Sequence, residues 1–275
     1  MKKMSSTLFA LFLLLSAFES CSEETDTIPE YFTPTISSVA HRGYQIHGAV
    51  ENTANAYRYA RAAGFQFGET DVQWTKDDIP VCCHDEYFFD QTTKDSISIK
   101  QYTLEELRQF NYKGTTISTL EEVMDTCKRY GLGLYLDRFT SFNSPRKEKI
   151  YDLITKFGKE NVCYLFVGIK ELGVEQVLEY DSCATIGILY FRTMDQKLID
   201  FANSISSPHN RIILDLDHSK NPTDTLEKYR PMLKDNVYYG FFTINNKNTY
   251  RKYLPYAISI TSDNISEKML WSDKH

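Results

Sequence analysis

Two acidic residues at two-residue spacing give the first indication of chemistry in this chain. Glu69 and Asp71 flank Thr70 at the end of a run of β-forming residues. Because side chains alternate between the two faces of a strand, both carboxylates are expected on one face. Carboxylate oxygens placed in this way can bind a hard divalent cation such as Mg²⁺ or Ca²⁺. Asp137, at the end of a later run, is the candidate third ligand.

Two histidines have comparable positions beside the acidic residues. His41 follows the first predicted strand, and His84 follows the third. An imidazole exchanges protons near neutral pH, so the pair can supply one general base and one general acid. Together with a bound cation, such a pair can break a phosphodiester without a covalent protein intermediate.

Predicted strands and helices alternate along the chain. Thr103 and Thr119 each precede a glutamate by three residues, which is the capping-box pattern of a helix start, and Ser144 followed by proline begins another predicted helix. The predicted strands are the runs 36–40, 65–74, 79–83, 132–137, 162–168, 185–191, 211–217, 237–244 and 257–261.

This alternation predicts an α/β fold, most economically a (β/α)8 TIM-type barrel over residues 36–275. Active sites of such barrels lie at the carboxyl ends of the strands, where the candidate residues stand. Nine runs compete for eight places, and either 211–217 or 237–244 is the expected extra strand. The link between the second and third runs is too short for a crossover helix, so the barrel is expected to be irregular there.

The beginning of the chain predicts export. In residues 1–20, two lysines precede an apolar stretch that ends in small and polar residues, as in a signal peptide; a transmembrane anchor is the alternative, although the stretch is shorter than the roughly 20 residues that span a bilayer. The segment resembles a bacterial lipoprotein signal, which implies an acylated Cys21, and ordinary cleavage near Ser20 is the alternative. Residues 21–35 predict an acidic tether. The expected location is a bacterial membrane, on its periplasmic side or at the cell surface.

The composition limits the partners. With 42% hydrophobic and 25% charged residues, the chain has the composition of a folded globular protein. Its formal net charge of −6 gives no indication of nucleic-acid binding. A phosphate-bearing substrate must therefore be held by local positive charges or by a metal ion.

Four short motifs follow one another within residues 41–85. They are His41-Arg42-Gly43, Glu51-Asn52-Thr53, Glu69-Thr70-Asp71 and His84-Asp85. Their order and spacing resemble those of glycerophosphodiester phosphodiesterases, and fainter similarity runs on to about residue 265. The resemblance implies a metal-dependent (β/α)8 barrel that hydrolyses deacylated phospholipids to glycerol 3-phosphate and an alcohol.

The resemblance also implies a role for each matched residue. His41 and His84 would be the general acid/base pair. Arg42 would contact the phosphate, and Glu51 would lie behind it or face the substrate. The implied ligands of the divalent cation, Mg²⁺ or Ca²⁺, are Glu69, Asp71 and Asp137.

One departure from the family pattern concerns the fourth barrel strand. The family usually has a glutamate there, followed two residues later by a lysine that faces the phosphate, whereas this chain has Asp137 and Phe139. Strand alternation predicts that Arg138 points away from the site. Arg192, at the end of the sixth run, is therefore the candidate for the missing positive charge.

Three hypotheses for the function remain at this point. The first is hydrolysis of glycerophosphodiesters by a lipid-anchored enzyme. The second is a lyase on the same barrel that acts on a phospholipid or phosphoinositol head group, and the third is a surface protein that binds a ligand without turnover. Asp215 and Asp217 form a second Asp-x-Asp pair outside the resemblance and are interpreted as a polar strand face, with substrate contact as the alternative.

Overall fold

The computed structural model describes residues 37–139 and 144–271. The predicted signal peptide, Cys21 and the tether lie outside the described residues. The strands in chain order are β1 (Ser37–Ala40), β2 (Phe67–Trp74), β3 (Pro80–Cys82), β4 (Tyr87–Phe89), β5 (Ser96–Ser98), β6 (Gly133–Asp137), β7 (Val162–Val167), β8 (Thr185–Tyr190), β9 (Arg211–Asp217), β10 (Val237–Phe242) and β11 (Ala257–Ser262). The α-helices are α1 (Ala54–Ala62), α2 (Leu104–Leu107), α3 (Leu120–Tyr130), α4 (Ser144–Phe157), α5 (Glu171–Tyr180), α6 (Gln196–Ile205), α7 (Thr223–Tyr229), α8 (Lys247–Tyr253) and α9 (Glu267–Trp271). Short 3₁₀ helices lie at Ile99–Gln101, Lys159–Asn161, Arg230–Met232 and Leu254–Tyr256.

Eight parallel strands form a closed barrel. Around it the order is β1, β11, β10, β9, β8, β7, β6 and β2, and β2 pairs again with β1. Helices lie between most of these strands and cover the outside. The predicted (β/α)8 TIM-type barrel is therefore confirmed.

The extra strand is not the expected one. The runs 211–217 and 237–244 both contribute barrel strands, and it is β3 that pairs antiparallel with the end of β2. The short link already noted explains this, because a chain that returns directly after a tight turn can pair only antiparallel. The predicted irregularity after the second strand is thus present as a hairpin.

A small lobe follows this hairpin before the barrel resumes at α3. The β4–β5 hairpin and α2 pack around an apolar cluster of their own, with Phe88, Ile97, Leu107 and Tyr112 among its buried members. The lobe brings β3 and the residues just after it to the rim of the barrel.

The predicted helix starts are confirmed. Thr103 and Thr119 each accept a hydrogen bond from the backbone of the glutamate three residues on, and each glutamate bonds back to the threonine backbone. α4 begins at Ser144. No helix in the described part of the chain is long and apolar enough to cross a membrane.

Two apolar layers hold the barrel. The larger lies between strands and helices, and the smaller fills the barrel interior. Buried interior side chains include Val39, Phe67, Leu165, Leu189 and Ile213. Because these side chains fill the barrel, an open site remains only towards its ends.

Candidate active site

A cavity of about 710 Å³ lies at the carboxyl ends of the barrel strands. Residues at the ends of β1, β2, β3 and β6 form one side, here called the charged wall: His41, Arg42, Glu69, Asp71, His84, Asp137 and Arg138. Residues of β7, β8 and β10 or next to them form the apolar wall: Leu165, Val167, Leu189, Phe191 and Phe242. All the predicted acid/base and metal-binding residues therefore line a single cavity.

Glu69, Asp71 and Asp137 lie together in the charged wall. Each offers a carboxylate oxygen, and these three atoms lie within 4.8 Å of one another. Glu69 and Asp71 share a face of β2, and the parallel register pairs Asp71 with Asp137 on β6. Three oxygen donors at this spacing fit a hard divalent cation.

Burial and mutual repulsion raise the pKa values of two of these carboxyls. Burial, followed by the charges of Asp71 and Asp137, raises the pKa of Glu69 well above its ordinary value. Burial and the charge of Asp71 likewise raise the pKa of Asp137. A bound cation would relieve this repulsion. The charges of the cluster and its oxygen donors therefore both favour cation binding.

The amide of Asn52 orients Asp71. Asn52 is fully buried, and its Nδ2 donates to Asp71 Oδ2 at 2.9 Å. Its Oδ1 accepts from Thr70 Oγ1 at 2.9 Å and from the Asp71 backbone at 3.2 Å. The sequence motif contains Asn52, but no role was predicted for it, because only the fold brings this loop against β2.

Arg42 joins the metal cluster to the substrate space. Its backbone N–H donates to Glu69 Oε2 at 2.9 Å, and its Nη1 donates to Glu51 at 3.1 Å. Its buried Nε is 3.5 Å from Asp71 Oδ2 and makes no hydrogen bond within the described residues. Burial alone would lower the pKa of Arg42, but the charges of Asp71, Glu51 and Glu69 outweigh burial and raise it. Arg42 is therefore a permanent cation with a donor left over.

Glu51 lies behind Arg42 and does not line the cavity. Its two oxygens accept from Arg42 and from Lys113. Burial alone would raise the pKa of Glu51, but these two cations lower it. Of the two predicted positions for Glu51, behind Arg42 or facing the substrate, the structure has the first.

A tight turn places Arg42 at the end of β1. Gly43 has φ +81°, and a Cβ atom at that position would lie 2.6 Å from the Cβ of Ala56. Only glycine fits this close approach to α1 without a shift.

His41 is held by a carboxylate from the last barrel strand. Its Nδ1 lies 2.7 Å from Asp263 Oδ1, and its Nε2 lies 4.0 Å from Glu69 Oε2. The hydrogen bond with His41 lowers the pKa of Asp263, despite burial, and a bond from Asn245 adds to this. The ionised Asp263 therefore fixes the ring with Nε2 towards the metal cluster. No role was predicted for Asp263.

His84 occupies the opposite end of the charged wall, next to the lobe. Its Nδ1 lies 2.8 Å from Asp85 Oδ1, and its Nε2 lies 2.7 Å from Arg138 Nη2. Both histidines are partly exposed to the cavity. Each thus has one nitrogen anchored by a carboxylate.

The prediction for Arg138 is wrong. Its side chain points into the cavity, where Nε donates to Asp71 Oδ1 at 3.1 Å. β6 ends at Asp137, and Arg138 has φ +59°, so the alternation of a strand no longer applies to it. Phe139 is consequently turned outwards and is buried against Tyr164 and Phe166.

The structure does not bring Arg192 to the cavity. Its side chain is exposed beside a separate, shallower depression next to the apolar wall. Of these two arginines, it is Arg138 that brings a positive charge into the cavity.

Asp215 lies on β9, between the apolar-wall strands β8 and β10, and lines the cavity. It is 3% exposed, and burial, followed by the charge of Asp137, raises its pKa to about 7. The interpretation of this residue as part of a polar strand face missed that it faces the barrel interior.

Comparison with known proteins identifies the family. The model of the glycerophosphoryl diester phosphodiesterase family matches residues 41–193, more than half of the chain. The chain belongs to this family. The matched segment includes the whole charged wall and most of the apolar wall.

Named relatives agree with this assignment. The chain is 34% identical over 112 residues to glycerophosphodiester phosphodiesterase 1 of Mus musculus, covering 37% of this chain and 33% of the mouse protein. It is 39% identical over 100 residues to the putative glycerophosphodiester phosphodiesterase YhdW of Bacillus subtilis, covering 34% and 39%. The matches thus span about a third of the length of these curated relatives.

Solved structures of similar fold include a putative glycerophosphodiester phosphodiesterase from Galdieria sulphuraria, with a TM-score of 0.67, 19% identity, and coverage of 83% of this chain and 94% of the other. An Oleispira antarctica phosphodiesterase in complex with the product sn-glycerol-3-phosphate has a TM-score of 0.64 and 21% identity, with coverage of 82% and 92%. At these identities the likeness shows the shared barrel fold.

Proposed function

We propose that this protein hydrolyses glycerophosphodiesters to glycerol 3-phosphate and an alcohol, using a divalent cation held by Glu69, Asp71 and Asp137. The observation that carries the proposal is the charged wall itself. It combines a buried three-carboxylate cluster with two arginines and two carboxylate-anchored histidines in one cavity. Family membership and the printed names of the relatives support the same substrate class.

The two arginines bind the phosphate in this proposal. Arg42 has an Nε that is ion-paired with Asp71 but makes no hydrogen bond within the described residues, and Arg138 donates to the other oxygen of Asp71. Guanidinium groups neutralise the charge that develops on the phosphate oxygens as the transition state forms. A bound Mg²⁺ or Ca²⁺ would add Lewis-acid polarisation of the phosphoryl group.

The histidines move the protons. Asp263 accepts a hydrogen bond from Nδ1 of His41, which leaves Nε2 to take or give a proton in the cavity. Asp85 accepts in the same way from Nδ1 of His84, whose Nε2 accepts a hydrogen bond from Arg138 and reaches the substrate only when that bond is exchanged. One histidine deprotonates the nucleophile, and the other protonates the leaving alkoxide. Attack by water gives glycerol 3-phosphate directly, whereas attack by the neighbouring glycerol hydroxyl gives a cyclic phosphate that a water molecule then opens to glycerol 3-phosphate.

We further propose that residues 1–20 are a signal peptide and that an acylated Cys21 anchors the protein to a membrane, periplasmic or at the surface. The leader pattern supports this proposal. Expression with labelled fatty acid tests it, because wild type should incorporate the label and Cys21→Ser should not. Equal labelling of the two would contradict it.

The decisive experiment follows turnover of glycerophosphocholine, glycerophosphoethanolamine and glycerophosphoinositol by the purified protein. Each substrate is assayed with Mg²⁺, Ca²⁺ or EDTA, for wild type, His41→Ala and the matched control His209→Ala. His209 is exposed and does not line the cavity. We expect release of glycerol 3-phosphate that EDTA and His41→Ala abolish and His209→Ala leaves unchanged.

The products separate the competing hypotheses. Phosphorus NMR that finds a cyclic phosphate as the final product would indicate the lyase. Tight binding without turnover of any diester, at every metal tested, would indicate the non-catalytic binding protein and would overturn the proposed hydrolysis.

A further inference from the structure

Asp215 is a buried acid that the proposed chemistry does not use. It lines the cavity although it is only 3% exposed, and its Oδ1 has no hydrogen-bond partner among the residues that the structure describes. It is not a member of the three-carboxylate cluster. A buried carboxylate oxygen without a donor is costly, and such groups in native proteins call for an explanation.

The two neighbouring strands pack closely around the Asp215 carboxyl, which meets the cavity at its floor. The parallel register places Asp215 beside Gly240 on β10 and beside Leu189 on β8. A Cβ atom at position 240 would lie 3.0 Å from Asp215 Oδ1 and 2.8 Å from Ser259 Oγ. A side chain at position 240 would therefore collide with its neighbours, and glycine lets β10 pass this close to the Asp215 carboxyl.

The residues around Asp215 restrict which chemical groups can bind beside its carboxyl. Next to Asp215 the cavity is bounded by the apolar wall, whose Phe191 and Phe242 rings pack edge to face at 5.0 Å. An anion would be repelled by the carboxylate, and a metal ion would lack the six or more oxygens that it needs. A hydrogen-bond donor on an organic group satisfies the oxygen and packs on the rings.

We propose, on the basis of the hydrolase function above, that Asp215 is a substrate-specificity residue that accepts a hydrogen bond from the organic part of the diester. Two groups of such a substrate have this chemistry, namely a glycerol hydroxyl and the ammonium of an ethanolamine head group. The charged wall then binds the phosphate, while Asp215 selects the organic group that is attached to the phosphate.

Asp215→Asn tests the proposal, because asparagine keeps the shape and removes the charge. We compare glycerophosphoethanolamine, glycerophosphocholine and bis(4-nitrophenyl) phosphate, of which the last carries no donor. We expect kcat/KM for at least one glycerol diester to fall about 10- to 100-fold, mainly through KM, as for a lost hydrogen bond to a charged group. Turnover of bis(4-nitrophenyl) phosphate should stay within about twofold.

The two glycerol diesters distinguish the sources of the donor. An equal fall for both assigns the glycerol hydroxyls, and a fall for the ethanolamine compound alone assigns its ammonium. The matched control is Asp217→Asn, on the same strand but outside the cavity lining, where Oδ1 already accepts from Ser219. An equal fall for bis(4-nitrophenyl) phosphate, or no change with any substrate, would overturn the proposal.

Binding measurements separate this inference from the proposed hydrolysis. If wild type turns over no diester, hydrolysis fails, but the affinities for glycerol 3-phosphate, phosphoethanolamine and inorganic phosphate still report on Asp215. We expect Asp215→Asn to lower the affinity for one of the two organic phosphates and to leave the affinity for inorganic phosphate unchanged. Unchanged affinity for both organic phosphates would refute the role of Asp215.

Discussion

The two walls of the cavity are built in different ways. In and beside the charged wall, three residues other than glycine have left-handed backbone conformations, Arg42, Asn52 and Arg138, with φ between +55° and +59°. Beside the apolar wall, the strand β7 is followed by Gly168, which adopts φ +69° without steric cost. Three of the seven non-glycine residues with positive φ in the described chain thus lie where charges must be held in place.

The walls also differ in how their side chains meet solvent. Glu69 and Asp71 are buried and depend on donors from Arg42, Asn52 and Arg138. In the apolar wall, Val167 and Phe191 are about half exposed. The comparison teaches that one wall holds its charged groups in a fixed hydrogen-bond network, while the other offers apolar surface to the cavity.

Removing one carboxylate of the cluster tests the charged wall most severely. Glu69→Gln should lower kcat/KM by about 10³-fold or more, because a metal ligand and its charge are lost. Titration with Mg²⁺ and with Ca²⁺ during thermal unfolding measures binding independently, and the cation-dependent rise in Tm should disappear. The control Glu121→Gln, in an exposed ion pair with Lys156, should change neither quantity. Full activity of Glu69→Gln would refute the cluster as a metal site.

Alanine substitution of Arg138 and of Arg192 tests which of the two supplies the positive charge of the active site. Arg138→Ala should lower kcat/KM about 10²-fold, since one donor to the transition state is lost, whereas Arg192→Ala should stay within about twofold. Arg138→Lys should recover part of the activity. Phe139→Lys should destabilise the fold without restoring activity to Arg138→Ala, because Phe139 is buried in the outer apolar layer. The reverse order of the two alanine variants would show that Arg192 supplies the charge.

Truncation of Asn52 tests whether orientation of Asp71 matters. Asn52→Ala removes the hydrogen bonds that Asn52 makes with three side chains, those of Asp71, Thr70 and Tyr57. We expect a loss of about 1–3 kcal/mol in the free energy of unfolding and a roughly tenfold fall in kcat. Urea denaturation and steady-state kinetics measure the two effects. An unchanged kcat in a destabilised protein would mean that Asn52 serves the fold alone.

The effect expected to change activity least is a pH dependence of stability that arises at Asp215. Folded Asp215 keeps its proton up to a pKa of about 7, whereas the unfolded residue releases it near 3.8. The folded state therefore binds more protons between these values, so this group lowers the free energy of unfolding as pH rises, by at most about 1.4 kcal/mol per pH unit. Glu69 and Asp137 act in the same direction.

Asp215→Asn removes one contribution to this slope. Urea unfolding without divalent cations, at several values between pH 4 and pH 8, should give a shallower decline for the variant than for wild type. Asp217→Asn is the matched control and should retain the wild-type slope. Parallel declines for wild type and Asp215→Asn would contradict the raised pKa of Asp215.

Much of the fold was predictable because it depends on local patterns. The capping boxes at Thr103 and Thr119 need only residues three positions apart, and the barrel strands are short apolar runs between helices. The two-residue spacing of Glu69 and Asp71 likewise follows from strand geometry alone. The strand β3 was misplaced because its partner depends on the turn that precedes it.

The sequence by itself determined the barrel, the family and the residues of the three-carboxylate cluster, since periodicity and motif order carry that information. Only the tertiary structure decided where the side chains of Arg138, Phe139 and Asp215 lie. A single left-handed residue at the end of β6 reverses which side chain faces the cavity. Closure of the barrel buries Asp215 beside Gly240, which lies 25 residues later in the chain. Such long-range contacts leave no local pattern, because they arise only when the strands come together.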